Sequence, residues 1–114
     1  LKRKLSLDGS AEKIYLRAYK IIEKMIFEII QTNPNPKPQK GEVVIFERRK
    51  PEDANWANSK SLEMIYDYIR MMDAEGYPPS FIRIGNYKLE FSNALRKKDS
   101  VNAFVRIIEE KENE

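Results

Sequence analysis

The chain has 114 residues, of which 41% are hydrophobic and 34% charged, with a net charge of +3. This is the composition of a folded domain, and no apolar run approaches the roughly 18–20 residues of a membrane-spanning helix. The sequence contains no Cys and no His, which excludes disulfides, zinc–thiolate sites and a Ser-His-Asp triad within it and suits a cytoplasmic protein. The first residue is not Met, which suggests a segment of a longer protein.

The first third of the sequence predicts a strand and a long helix. Polar and apolar residues alternate over residues 2–7, and Ser10 is a favourable N-cap for a helix over residues 11–30. The polar side chains of that helix form a single stripe, and the rest of its circumference is apolar. An ordinary surface helix has an apolar stripe little wider than ~100°. We therefore expect this helix to pack against another domain or another subunit. The polar stripe comprises Arg17, Lys20, Lys24 and Glu28.

The remaining sequence predicts a linker followed by a mixed α and β unit. Three alternating prolines indicate an extended linker over residues 32–41, followed by a β-rich segment at residues 42–48. A turn at residues 50–53 precedes a second helix, predicted for residues 59–74. Gly85-Asn86 predicts a hairpin between strands at 81–84 and 87–91, and a turn at 96–100 leads to a strand at 101–108. Residues 109–114 form a charged tail.

Three stretches of sequence together resemble a known family. They are Leu5–Tyr15 (LSLDGSAEKIY), Phe46–Trp56 (FERRKPEDANW) and Ile65–Pro78 (IYDYIRMMDAEGYP). These runs are similar to the formyltransferases that use 10-formyltetrahydrofolate, a family that includes methionyl-tRNA formyltransferases and nucleotide-sugar N-formyltransferases. The resemblance extends over roughly residues 1–108.

The resemblance implies an α+β fold in three parts. Residues 1–31 would be the terminal strand and long helix of a Rossmann-like catalytic domain, residues 32–41 a Pro-rich linker, and residues 42–114 a small OB-like, antiparallel β domain with one helix. The missing N-terminal catalytic domain would then cover helix 11–30; a homodimer through the same helix is the alternative. The family's catalytic Asn, His and Asp and its 10-formyltetrahydrofolate site would lie outside this chain. The chain alone is therefore predicted to be inactive, with no catalytic residue and no metal.

Three arginines are candidates for substrate binding. Arg48 and Arg49 suit bidentate contacts to phosphate, with surface ion pairs to Glu52 or Asp53 as the alternative. Arg70 would anchor the junction to the catalytic domain or touch the active site, with an i,i+3 pair to Asp67 as the alternative. Tyr77 and Trp56 could stack on a base or a sugar ring, although packing is the commoner role. The Arg96–Lys98 cluster is interpreted as a solvated surface loop.

The acceptor is predicted from the same basic run. The pattern Arg48-Arg49-x-Pro51-Glu52-Asp53 is similar to the run before the Trp in the enzyme that formylates UDP-4-amino-arabinose. The small net charge and the few strands argue against a tRNA-binding OB barrel. We therefore expect a nucleotide-linked amino sugar as acceptor. The alternatives are a methionyl-tRNA formyltransferase and a non-enzymatic dimerisation or interaction module.

Overall fold

The computed structural model describes residues 1–111 and shows an α+β chain. Helix α1 (Ala11–Thr32) comes first, and a 3₁₀ turn (Pro51–Ala54) precedes helix α2 (Leu62–Met71). The strands β1 (Ser80–Ile84), β2 (Tyr87–Arg96) and β3 (Val101–Glu109) follow. They form one antiparallel sheet in the order β1-β2-β3, and α2 packs mainly against the central strand β2. None of the helices within residues 1–111 is long and apolar enough to cross a membrane.

Helix α1 is confirmed by the structure, and local signals set both of its ends. The Ser10 hydroxyl accepts a hydrogen bond from the Lys13 N–H at 3.4 Å, satisfying one otherwise unpaired donor of the first turn. At the other end Asn33 adopts the left-handed conformation (φ +43°), and its N–H donates to the Ile29 carbonyl at 2.9 Å. Asn tolerates this conformation better than most residues, so the helix ends at Thr32.

The predicted hairpin is confirmed, and it fixes the register of the sheet. Ile84 pairs with Tyr87 across Gly85-Asn86, and Gly85 has the positive φ (+57°) that a tight hairpin turn requires. The third strand is also confirmed. It pairs with β2 through a bulge between Ser92 and Leu95, where Asn93 takes a positive φ of +52°.

The core is small, and its buried residues lie in the 3₁₀ turn, α2, β1 and the start of α1. Phe81 and Ile69 are each only 2% exposed, and Ser80 is fully buried. The Ser80 hydroxyl donates to the Ala54 carbonyl at 2.7 Å, so a buried polar pair ties β1 to the 3₁₀ turn. The Trp56 N–H donates to the Phe81 carbonyl at 3.1 Å, which fixes the same turn to the outer edge of β1.

Two segments predicted as strands are not strands in the structure. Residues 2–7 and 42–48 have no regular secondary structure. β-branched or alternating residues favour an extended backbone, but a strand also needs a neighbour that exchanges hydrogen bonds with it. Within residues 1–111 the ladder consists of β1, β2 and β3, and neither segment joins it.

Other predicted boundaries are also corrected. The second helix is shorter than the predicted 59–74, because the Ser61 hydroxyl, not that of Ser59, accepts the capping hydrogen bond, from the Met64 N–H at 3.1 Å. The predicted turn at 50–53 is a 3₁₀ helix. The antiparallel β unit with one helix is present as an open three-stranded sheet. Its OB-like character and the assignment of residues 1–31 to the end of a Rossmann-like domain stay predictions. Of the predicted tail, Glu109 ends β3 and residues 112–114 lie outside the described part.

Candidate functional site

The basic run Arg48–Lys50 lies in the exposed, extended segment that leads into the 3₁₀ turn. The Arg49 guanidinium donates to the Asp53 carbonyl at 3.0 Å, and the Lys50 N–H donates to the Asp53 carboxylate at 2.8 Å. These contacts hold the run against the turn. The ion pairs with Glu52 or Asp53 that were the alternative to a phosphate-binding role are not formed among the described residues.

A cavity of about 500 Å³ opens beside this run. Its walls combine three consecutive basic residues, two prolines, an aromatic ring, a methionine and a buried alanine: Arg48, Arg49, Lys50, Pro51, Pro78, Tyr77, Met72 and Ala54. We call it the Arg48–Tyr77 cavity. A smaller cavity of about 200 Å³ shares Arg49 and Met72 with it and includes Asp67 and Tyr68 of α2. Sequence positions that are far apart are thus brought to one surface, and Arg49 lines both cavities.

Arg70 does not line the Arg48–Tyr77 cavity and acts at the junction between α2 and the segment before α1. Its guanidinium donates to the carbonyls of Leu7 and Gly9, the latter at 3.0 Å, and to the Asp67 carboxylate at 2.8 Å. It also lies 5.3 Å from the centre of the Tyr66 ring. The i,i+3 pair with Asp67 is therefore present together with an anchoring role at this junction.

Asp73 and Tyr77 strengthen the same junction from the loop after α2. The Asp73 carbonyl accepts from the Glu12 N–H at 3.1 Å, and its carboxylate accepts from the Asn93 N–H at 2.9 Å. Asp73 thus joins the start of α1 to the bulge in β2. The Tyr77 hydroxyl donates to that of Tyr15 at 2.8 Å, and the two rings meet edge to face. This hydrogen bond and the surrounding burial raise the pKa of Tyr77.

An ion-pair network at the outer edge of β1 was not predicted. Arg83 pairs with Glu52 at 2.9 Å and with Glu110 at 3.2 Å, and it lies 4.8 Å from the centre of the Phe81 ring. The hydrogen bond from Arg83 lowers the pKa of Glu52, and the two carboxylates raise the pKa of Arg83. The partners of Arg83 are 31 and 27 residues away in sequence, so no local pattern identifies them.

The second basic cluster, Arg96–Lys98, forms the turn between β2 and β3. The Arg96 guanidinium donates to the carbonyls of Lys97, Lys98 and Ser100, the last at 3.3 Å. The arginine therefore supports its own turn, which agrees with the interpretation as a surface loop. No group of acidic residues among residues 1–111 has the arrangement of a metal site.

Large apolar surfaces lie on α1 and on the segment after it. Helix α1 carries eight exposed large apolar residues: Tyr15, Leu16, Tyr19, Ile22, Ile26, Phe27, Ile29 and Ile30. Further along, the side chains of Val43–Phe46 are 68–88% exposed. Within residues 1–111 only the start of α1 is covered, at Ala11 and Ile14, and packing of the rest against another domain or subunit stays a prediction. Surfaces of this kind are typical of sites that contact another polypeptide.

The comparisons with known proteins agree on one family. The family model described as "Methionyl-tRNA formyltransferase, C-terminal domain" matches residues 51–108. Among solved structures, methionyl-tRNA formyltransferase from Clostridium thermocellum is 51% identical to this chain, with a TM-score of 0.90. The match covers 96% of this chain and 48% of the relative, so the chain spans about half the length of that protein. A comparison with curated protein sequences gives no match.

These results bear on the predicted acceptors at the level of the family. The resemblance to formyltransferases is confirmed, and both matches are to methionyl-tRNA formyltransferases. They favour the tRNA alternative and give no support to the nucleotide-linked amino sugar that the basic run had suggested. A short run of six residues is a weaker guide to the acceptor than similarity over almost the whole chain.

Proposed function

Because this chain belongs to the family of methionyl-tRNA formyltransferase C-terminal domains, we propose that it is the acceptor-binding part of an enzyme that formylates methionyl-tRNA. The observation that carries the proposal is 51% identity over 96% of the chain to a protein of that name. In this proposal the formyl donor, 10-formyltetrahydrofolate, and the catalytic groups belong to a second part of the enzyme. The chain itself holds the tRNA and supports that part.

The exposed basic run supports binding of the acceptor. Arg48 and Arg49 present planar guanidinium groups, which suit phosphate oxygens because two N–H groups can donate to one phosphate. The run follows an extended segment and precedes a rigid turn held by Asp53. A surface of this kind contributes to RNA affinity by releasing bound counterions, so its contribution falls as salt is added.

The apolar side of α1 supports contact with a second domain. A groove of about 610 Å³ lies on this side and is lined by three charged residues and three apolar ones: Lys20, Glu23, Lys24, Ile26, Phe27 and Ile30. In the proposed enzyme the catalytic part covers this groove. The contacts of Arg70 and Asp73 with the start of α1 would then hold the acceptor-binding unit at a fixed angle to the catalytic part.

Salt-dependent binding of tRNA tests the first half of the proposal. We expect fluorescence anisotropy to show binding that weakens between 50 and 200 mM salt, as counterion release requires. The double variant R48S/R49S should bind more weakly and reduce the slope of log K against log salt by about 2, one unit for each lost phosphate contact. The matched control is R106S, a change at an 80% exposed arginine on the sheet. No tRNA binding, or an equal effect of R106S, would contradict the proposal.

Sedimentation of the chain tests the second half. If a catalytic part covers α1, the isolated chain should not form a specific dimer through this side. A concentration-dependent dimer that Ile26→Glu abolishes would instead assign the surface to a homodimer. Ile26 is 53% exposed, so the substitution leaves the fold intact, which far-UV circular dichroism checks.

A further inference from the structure

We propose that the Arg48–Tyr77 cavity binds one unpaired nucleotide, with its phosphate on Arg48 and Arg49 and its base on the Tyr77 ring. The inference rests on the proposed function to the extent that the nucleotide would belong to the acceptor RNA. The inference adds a binding site for a base beside the basic run that is proposed to bind phosphate.

The walls of the cavity match the two halves of a nucleotide. The run Arg48–Lys50 supplies positive charge along one side, and no carboxylate is among the lining residues. The remaining lining side chains are apolar or aromatic, including Tyr77, Met72 and the buried Ala54. A phosphate alone would gain nothing from these side chains, and an apolar ligand would not need three cations. The volume of about 500 Å³ falls in the range of small-molecule sites, ~300–1,000 Å³.

Tyr77 is fixed in place before any ligand binds. Its hydroxyl is hydrogen-bonded to Tyr15, and the two ring centres lie 5.9 Å apart at an interplanar angle of 83°. The backbone after Tyr77 is restricted as well, because the Pro78 ring fixes its own φ. Tyr77 nevertheless has 42% of its surface exposed to solvent. An aromatic ring that is held rigidly and remains accessible loses little conformational entropy when a base stacks on it.

Arg48 and Arg49 have N–H groups available for the phosphate of the nucleotide. Arg49 uses one guanidinium nitrogen on the Asp53 carbonyl, which orients the group and leaves its other N–H groups for a phosphate. Arg48 makes no side-chain hydrogen bond to residues 1–111, so its whole guanidinium is available.

The apolar surface points to an unpaired nucleotide and not to a duplex. In a double helix the faces of the bases are stacked on one another, and a protein meets phosphates, sugars and base edges. A base that stacks on the Tyr77 ring must therefore come from a single-stranded loop or end of the RNA. Sequence-specific recognition of RNA uses such unstacked bases on aromatic side chains.

Binding of adenosine 5′-monophosphate to the chain, measured by calorimetry, tests the inference. We expect inorganic phosphate and adenosine to bind at least about tenfold more weakly, because each supplies half of the contacts. Tyr77→Leu should weaken binding of the nucleotide about tenfold or more, as loss of one stacked base requires. Tyr77→Phe should keep most of the affinity, since the ring remains and only the hydrogen bond that fixes it to Tyr15 is lost. R48S/R49S should remove the preference for the nucleotide over adenosine, and R106S should change nothing.

The outcomes separate this inference from the proposed function. Salt-dependent tRNA binding without nucleotide binding would overturn the nucleotide site and leave the proposed function standing, whereas absence of both would overturn both. Inorganic phosphate that binds as tightly as the nucleotide would reduce the cavity to an anion site and refute the stacking role of Tyr77. Clear preference for a uridine diphosphate sugar over a single-stranded oligonucleotide would refute the proposal that the bound nucleotide belongs to an RNA. Thermal melting of Tyr77→Leu, compared with Tyr77→Phe, shows whether lost affinity comes from lost folding.

Discussion

Phe81 provides the sharpest test of where the stability of this unit resides. Its side chain is 2% exposed, and the Arg83 and Lys88 side chains lie 4.8 and 4.5 Å from the centre of its ring. Phe81→Ala removes a buried ring from a core that contains few other large side chains, and truncation of a buried Phe costs about 3–5 kcal/mol. The total stability of a domain is about 5–15 kcal/mol. We therefore expect the variant to be close to unfolding at ambient temperature.

Phe104 is the matched control, because it is the same residue type in the same sheet but is 69% exposed. Phe104→Ala should cost less than about 1 kcal/mol, the span of strand propensities. Urea denaturation followed by circular dichroism measures both losses of unfolding free energy. In thermal denaturation, where 1 kcal/mol corresponds to about 4 °C, Phe81→Ala should lower the Tm by about 12–20 °C. Equal losses in the two variants would refute the assignment of the core to the 3₁₀ turn, α2, β1 and the start of α1.

Three further predictions concern polar contacts. Ser80→Ala leaves the buried Ala54 carbonyl without its donor and should cost about 1–3 kcal/mol in urea denaturation; a change below about 0.5 kcal/mol would contradict this. Since Arg83 lowers the pKa of Glu52, the pair stabilises the fold above the unfolded pKa near 4.5 and loses this contribution as the pH falls through the folded pKa. The stability difference between the unaltered chain and E52Q should therefore shrink as urea titrations move from pH 6 to pH 3, and a constant difference would exclude the pair as its source. Arg70→Met should lower the free energy of unfolding by about 1–3 kcal/mol, because it removes the donors to the carbonyls that hold the segment before α1. Arg70→Lys should recover only part of this loss. Full recovery of stability by Lys would show that the positive charge alone suffices.

Elements defined by local signals could be predicted from the sequence. Ser10 and the residues after Thr32 define α1, because capping hydrogen bonds form between residues close in sequence. Gly85-Asn86 defines the hairpin for the same reason, since a tight turn needs a residue that accepts positive φ. The family resemblance also held, but the acceptor inferred from the short run at Arg48 did not receive support from the longer matches.

The candidate site could be predicted only in part. Arg48 and Arg49 were identified from their charge, and Tyr77 as a ring that could stack, but nothing in the sequence places the basic run beside that ring. Asp73 was missed, because its two backbone partners, Glu12 and Asn93, are distant in the chain. Residues that join separate elements carry no local periodicity, so the signal for them exists only in the folded chain.

The sequence by itself determined the helices, the hairpin and a broad apolar surface on α1, because caps, turns and side-chain patterns act over a few residues. Only the tertiary structure decided which extended segments became strands. Residues 42–48 are as rich in β-branched and aromatic side chains as β3, yet β3 pairs with β2 and residues 42–48 stay outside the sheet. A strand is completed by hydrogen bonds to a neighbour, and the position of that neighbour is a property of the whole fold.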